Sequence, residues 1–153
     1  MSLADVISTV TGIISGLTPT SEPSRTFVPV QDEDWMPLED IAAVRSRAFR
    51  VDAIGSVLQD RYVGLTMHYP AHDLVVRICY ARGDYRSPHL MASIMAEDAA
   101  AVMSSLMPAS AWGAAATNLY ALPPVERQDV PAADGGILGT VTNIRLRAEW
   151  ERP

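Results

Sequence analysis

One cysteine, Cys79, stands in a chain of 153 residues. An intramolecular disulfide is therefore impossible, a cysteine-based zinc cluster is excluded, and a reducing compartment fits best. No apolar run approaches the roughly 20 residues that a membrane-spanning helix needs, so no membrane partner is expected. Twelve basic residues against eighteen acidic ones give a formal charge of −6, and no Lys/Arg cluster offers a footprint for phosphates. Sequence-specific nucleic-acid binding is not expected. An acidic surface suits instead a passage from which duplex DNA is repelled. The first residues lack the basic n-region and small-residue cleavage site of a secretory signal, so Met1 to Leu17 are expected to belong to the working protein.

Signatures of chemistry are missing as well. There is no G-x-S-x-G elbow for a serine nucleophile, and the helix expected after Ser87 opens on proline. Gly135, Gly136 and Gly139 precede a strand rather than a helix, so they form neither a phosphate loop nor a dinucleotide fingerprint. His68 and His72 stand four apart, but Pro70 between them argues against the helix that would put both imidazoles on one metal. Cys79 falls inside an apolar strand, where a thiol is inert. No catalytic residue, cofactor or metal ligand is expected, and the chain is read as a non-enzyme. The alternative is a small ligand-binding domain or metal-dependent enzyme using the region of His68, His72 and Asp73.

What is present reads as one globular domain over residues 1–153. Apolar residues make up 48% and charged residues 20%, ordinary soluble usage, and the length allows a real core. Leu3, Val6, Ile7, Val10, Ile13, Ile14 and Leu17 recur at helical spacing, with Ser2 as cap and Asp5 in the first turn. Residues 18–42 carry Pro19, Pro23, Pro29 and Pro37 and the acidic run Asp32, Glu33 and Asp34. They read as a loop or arm, with a short edge piece around Thr26 to Val30. Trp35 and Met36 form an apolar pair in it, suited either to the core or to a partner.

Strands are expected over "VRSRAFRVDAI", "YVGLTMHY" and "LVVRICYA", with a hairpin or bend near Pro70 to Asp73. A helix follows from Ser87 and Pro88 to Pro108, with Met91, Ile94, Met95, Val102 and Leu106 as its apolar stripe. A strand near Ala114 to Leu122 is expected to stop at Pro123 and Pro124, and a polar loop then leads to Gly135. A long last strand has Ile144, Leu146, Ala148 and Trp150 on one side and Arg145 and Arg147 on the other. The fold class is α+β: an antiparallel or mixed sheet with an N-terminal amphipathic helix and a second helix packed on one face.

Two features invite a functional reading. Arg82-Gly83-Asp84 matches the tripeptide that integrin ligands present, but it falls where a strand must turn into the helix at Ser87, and the turn is the preferred reading. Arg45, Arg47 and Arg50 are expected to meet Arg145 and Arg147 across neighbouring strands. They suit a solvated face paired to Asp and Glu, or a contact between subunits in which the 32–40 segment supplies carboxylates. With Trp35 and Met36, the arginines Arg45, Arg47, Arg145 and Arg147 are the candidate interface.

The N-terminal helix, "SRAFRV", "LVVRICYARGD", the helix from Ser87 and "NIRLRAEWER", in that order, resemble a tail terminator of a long-tailed bacteriophage. The resemblance spans most of the chain outside residues 18–42 and rests on element order. It implies a structural virion protein, assembled in the host cytoplasm and lying at the neck-proximal end of the tail. It also implies a homo-oligomeric ring, as a hexamer, that stops tube growth. Its partners would be the tail tube protein and a head–tail connector or stopper, with DNA passing through the lumen.

Overall fold

A computed structural model describes residues 3–30, 46–62, 68–107, 118–132 and 134–149. Helix α1 (Leu3–Ser15) is followed by strands β1 (Val28–Pro29), β2 (Ala48–Tyr62) and β3 (His68–Ala81). A single 3₁₀ turn (Arg82–Asp84) leads to helix α2 (Pro88–Leu106), and β4 (Asn118–Pro131) and β5 (Ile137–Glu149) complete the chain. The five strands form one sheet in the order β1-β2-β3-β5-β4. All neighbours are antiparallel except β1 and β2, so the sheet is mixed and the class is α+β.

Both helices cover the same face of the sheet. Val6, Val10 and Ile14 of α1 are buried, as are Met91, Ile94, Met95, Val102 and Leu106 of α2. They meet Phe49 of β2, the alternate residues Leu74, Val76, Ile78 and Tyr80 of β3, and Ile144, Leu146 and Ala148 of β5. Alternation along each strand makes this possible, because every second side chain points to the helices. Burying one such aliphatic side chain stabilises the fold by roughly 1.5–3 kcal/mol. α2 starts as its sequence demands. Ser87 accepts a hydrogen bond from the Leu90 amide at 3.1 Å, and Pro88 occupies the first turn, where no intrahelical donor is needed.

Three boundaries differ from the sequence reading, and prolines bear on two. β2 runs on past Ile54 to Tyr62, so the expected "YVGLTMHY" is not a separate strand: Tyr62 ends β2 and pairs with His68. β3 begins at His68 and runs through Pro70 to Ala81 without the hairpin or bend expected near Pro70 to Asp73. Pro70 fits because it falls in the register break of β2 between Val57 and Arg61, where no β2 residue pairs with it. β4 likewise runs through Pro123 and Pro124 to Pro131 instead of stopping. Its register with β5 breaks between Leu122 and Glu126, and β4 is an edge strand, the place where a missing donor is tolerated.

The described part of the 18–42 segment is packed against the domain. Phe27 is buried edge-on to Phe49 at 6.4 Å, and β1 adds to β2 through Val28 N–H to Arg47 O (3.0 Å) and Val30 N–H to Phe49 O (2.9 Å).

Candidate functional site

Arg47, expected on a surface between subunits, is the largest fully buried side chain among the described residues, with 0% exposure. Its five guanidinium donors are all used inside the chain. Nε and Nη2 reach the two Asp98 carboxylate oxygens of α2 at 2.7 and 3.0 Å. Nη1 donates to the Glu22 and Arg25 carbonyls at 2.9 and 2.8 Å, and Nη2 also donates to the Ser21 carbonyl at 2.7 Å. Tyr80 O–H donates to Asp98 at 2.8 Å. This corrects the expectation for Arg47: with no donor left over, it joins residues 21–25, α2 and the sheet rather than two subunits.

The cluster shapes its own electrostatics. Burial acts to lower the Arg47 pKa, but hydrogen bonding and charge from Asp98 outweigh it and hold the guanidinium above its ordinary value. Burial, then the Asp98 charge, pushes the Tyr80 phenol well above its usual range. Arg47 also adopts φ 65, a left-handed backbone that a non-glycine residue holds only where its surroundings enforce it. The signal for its partner is present in the sequence, since Asp98 sits inside the apolar stripe of α2, four residues after Ile94. An acid at such a position needs a buried cation.

The opposite face of the sheet carries Arg50, Arg77, Arg145 and Arg147. Near the β4–β5 turn it is apolar, with Ala48, Cys79 and Val141 in a small cluster against which Val30 packs. Burial pushes the Cys79 thiol up to about 12, which agrees with an inert core cysteine. Further along, the face becomes charged. Arg147 makes a two-pronged bond to its cross-strand neighbour Asp73 at 2.7 and 3.1 Å. Arg50 and Arg77 lie directly opposite each other, which would be repulsive, but Asp52 stands beside both. Its Oδ1 accepts from Arg50 at 2.9 and 2.6 Å, and its Oδ2 lies 3.7 Å from Arg77 Nε.

On this face two arginines are held less closely than Arg50 and Arg147. Arg77 has a carboxylate only at 3.7 Å, and Arg145 only at 3.6 Å, from Glu126. Among the described residues neither makes a hydrogen bond, and the buried Arg77 Nε and Asp52 Oδ2 are both without one. Arg77 and Arg145 are 39% and 50% exposed at their side chains and flank one groove of ≈240 Å³. Its exposed lining is mostly polar, with the amides of Gln128 and Asn143, and Ile54 supplies exposed apolar surface over the buried Val75. All twelve cations of the chain are arginines, the side chain suited to forked pairing with carboxylate or phosphate.

Trp35, Met36 and Arg45 lie outside the described residues. His68 and His72 both lie on β3, where a four-residue step separates Cα atoms by about 13 Å, far beyond the reach of one metal. No group of three or more potential metal ligands occurs among the described residues.

The Arg-Gly-Asp tripeptide forms the 3₁₀ turn, and its acid serves the fold. Asp84 accepts from Ser46 Oγ at 2.6 Å, and Ser46 Oγ accepts from the Ala81 amide at 2.9 Å. Gly83 is not in the left-handed region, and a Cβ there would meet nothing within 4 Å. The turn therefore does not depend on glycine. No protein-family model matches the chain, and no curated protein matches it.

Proposed function

We propose that the chain is a structural virion protein of the tail-terminator kind: a subunit of a homo-oligomeric ring that caps the phage tail tube and joins it to the head connector. The observation that carries this reading is the sheet face opposite α1 and α2. There, half-exposed Arg77 and Arg145 flank a groove and, among the described residues, make no hydrogen bond, with carboxylates only at 3.7 and 3.6 Å, as a surface completed by a partner would. The elements that bear the resemblance support it too, since α1, β2, β3, α2 and β5 follow one another in the expected order. A charge of −6 suits a lumen through which DNA slides without adhering.

The test is co-assembly. Purified chain mixed with tail tube protein should bind tube ends, seen as a terminal ring in negative-stain images, and should halt tube elongation. Tubes that keep growing, with bare ends, would sink the reading.

A further inference from the structure

We propose that the groove between Arg77 and Arg145 receives the acidic run Asp32-Glu33-Asp34 of a second copy of the chain. Asp32 would pair with one guanidinium and Asp34 with the other. The inference rests on the ring reading and names the contact that holds neighbours together.

Unused donors are the first argument. A guanidinium offers five N–H groups, and Arg47 shows the same chain filling all five. Arg50 and Arg147 are claimed by Asp52 and Asp73 at hydrogen-bond distance. Arg77 and Arg145 have only Asp52 and Glu126, at 3.7 and 3.6 Å. The site is thus two forked donors short of acceptors, and Asn143 and Gln128 beside them have amide donors to add.

Spacing is the second. Arg77 pairs in register with Asn143 and Val75 with Arg145, so the two arginines are diagonal neighbours on β3 and β5. Such neighbours stand about 7 Å apart. Two acids separated by one residue on an extended segment project to the same side at about 7 Å as well, which is the separation of Asp32 and Asp34 in sequence. No other stretch of the chain places three acids consecutively.

Apolar complementarity is the third. Ile54, 46% exposed, lines the groove beside the charges, and Val75 lies buried beneath it. In the sequence, Trp35 and Met36 follow Asp34 directly, so a segment that brings its acids to the arginines also brings an aromatic anchor to this surface.

Charge exchange tests the contact. Two reversed variants, Arg77→Glu/Arg145→Glu and Asp32→Arg/Asp34→Arg, and one chain with all four of these substitutions are made, and size-exclusion chromatography with light scattering is run on each alone and on an equimolar mixture of the two reversed variants. A milder Arg77→Gln/Arg145→Gln variant guards against misfolding, and thermal melts within a few degrees of wild type identify folded chains. Each reversed variant alone should lose at least tenfold in self-association. The mixture should regain the wild-type mass, because each chain then meets a neighbour of opposite charge.

Four outcomes would overturn the inference. Folded variants that assemble like wild type leave the ring intact and remove this contact. Recovery only when all four substitutions are in one chain, and never in the mixture, makes the pairing intrachain. Loss of duplex DNA retention in the arginine variants, with unchanged mass, makes the groove a phosphate site. Wild type that stays monomeric, alone and with tail tube protein, removes the ring reading together with its contact.

Discussion

Removing the Arg47 guanidinium would strand the Asp98 carboxylate in the core beside Tyr80, with three backbone carbonyls of residues 21–25 losing their donor. Breaking a buried pair from one side costs about 3–5 kcal/mol, so urea denaturation of Arg47→Ala should show a loss of that order. Replacing both partners, Arg47→Met with Asp98→Leu, should cost clearly less than the two single changes together, because neither leaves a bare charge. A double-mutant cycle with no coupling would contradict the bond set. Cys79 gives a second residue-scale expectation. Its folded pKa is raised to about 12, so from about 8.5 upward the unfolded thiol releases its proton while the folded one keeps it. Stability should therefore fall as pH rises through that window, and the fall should be shallower in Cys79→Ala. In the 3₁₀ turn, Gly83→Ala should leave the melting temperature within a degree or two, since the space is open. Asp84→Ala should cost about 1 kcal/mol through the Ser46 bond.

Elements with strong periodicity are legible in the sequence, and those interrupted by proline are not. α1 and α2 follow their apolar stripes because residues at three- and four-residue steps share one face only when the backbone is helical. Ser87-Pro88 marks the start of α2 by chemistry that holds in any context. Ser87→Ala should destabilise by about 1 kcal/mol, read in a chemical melt, through the lost Leu90 bond. β3 and β4 are longer than the pattern implies because the effect of a proline depends on the neighbouring strand. Pro70 sits at a break in the register with β2, and Pro123 and Pro124 sit at a break in the register with β5. A one-dimensional pattern does not contain that neighbour. Arg47 illustrates the same point: it reads with Arg45 and Arg50 as surface charge, whereas its place is fixed by Asp98, 51 residues away.

At the scale of the molecule, the sheet separates two tasks. One face binds the helices and the Arg47 cluster into a fixed core, and the other holds charge in rows that are paired at Asp73 and Asp52 but incomplete at Arg77 and Arg145. Alternation along "NIRLRAEW" puts Arg145 and Arg147 on one side, so the charged face is readable from the sequence. Which arginines lack acceptors is not, because that depends on cross-strand register. The central claim is that the incomplete face is completed by neighbouring copies in a ring, and the mass of the assembled particle measures it directly. Light scattering on the wild-type chain of 16.6 kDa, with tail tube protein as needed to nucleate it, should give a closed six-membered species of about 100 kDa. A species that remains at the monomer mass, at every concentration and with the tube present, would contradict the account.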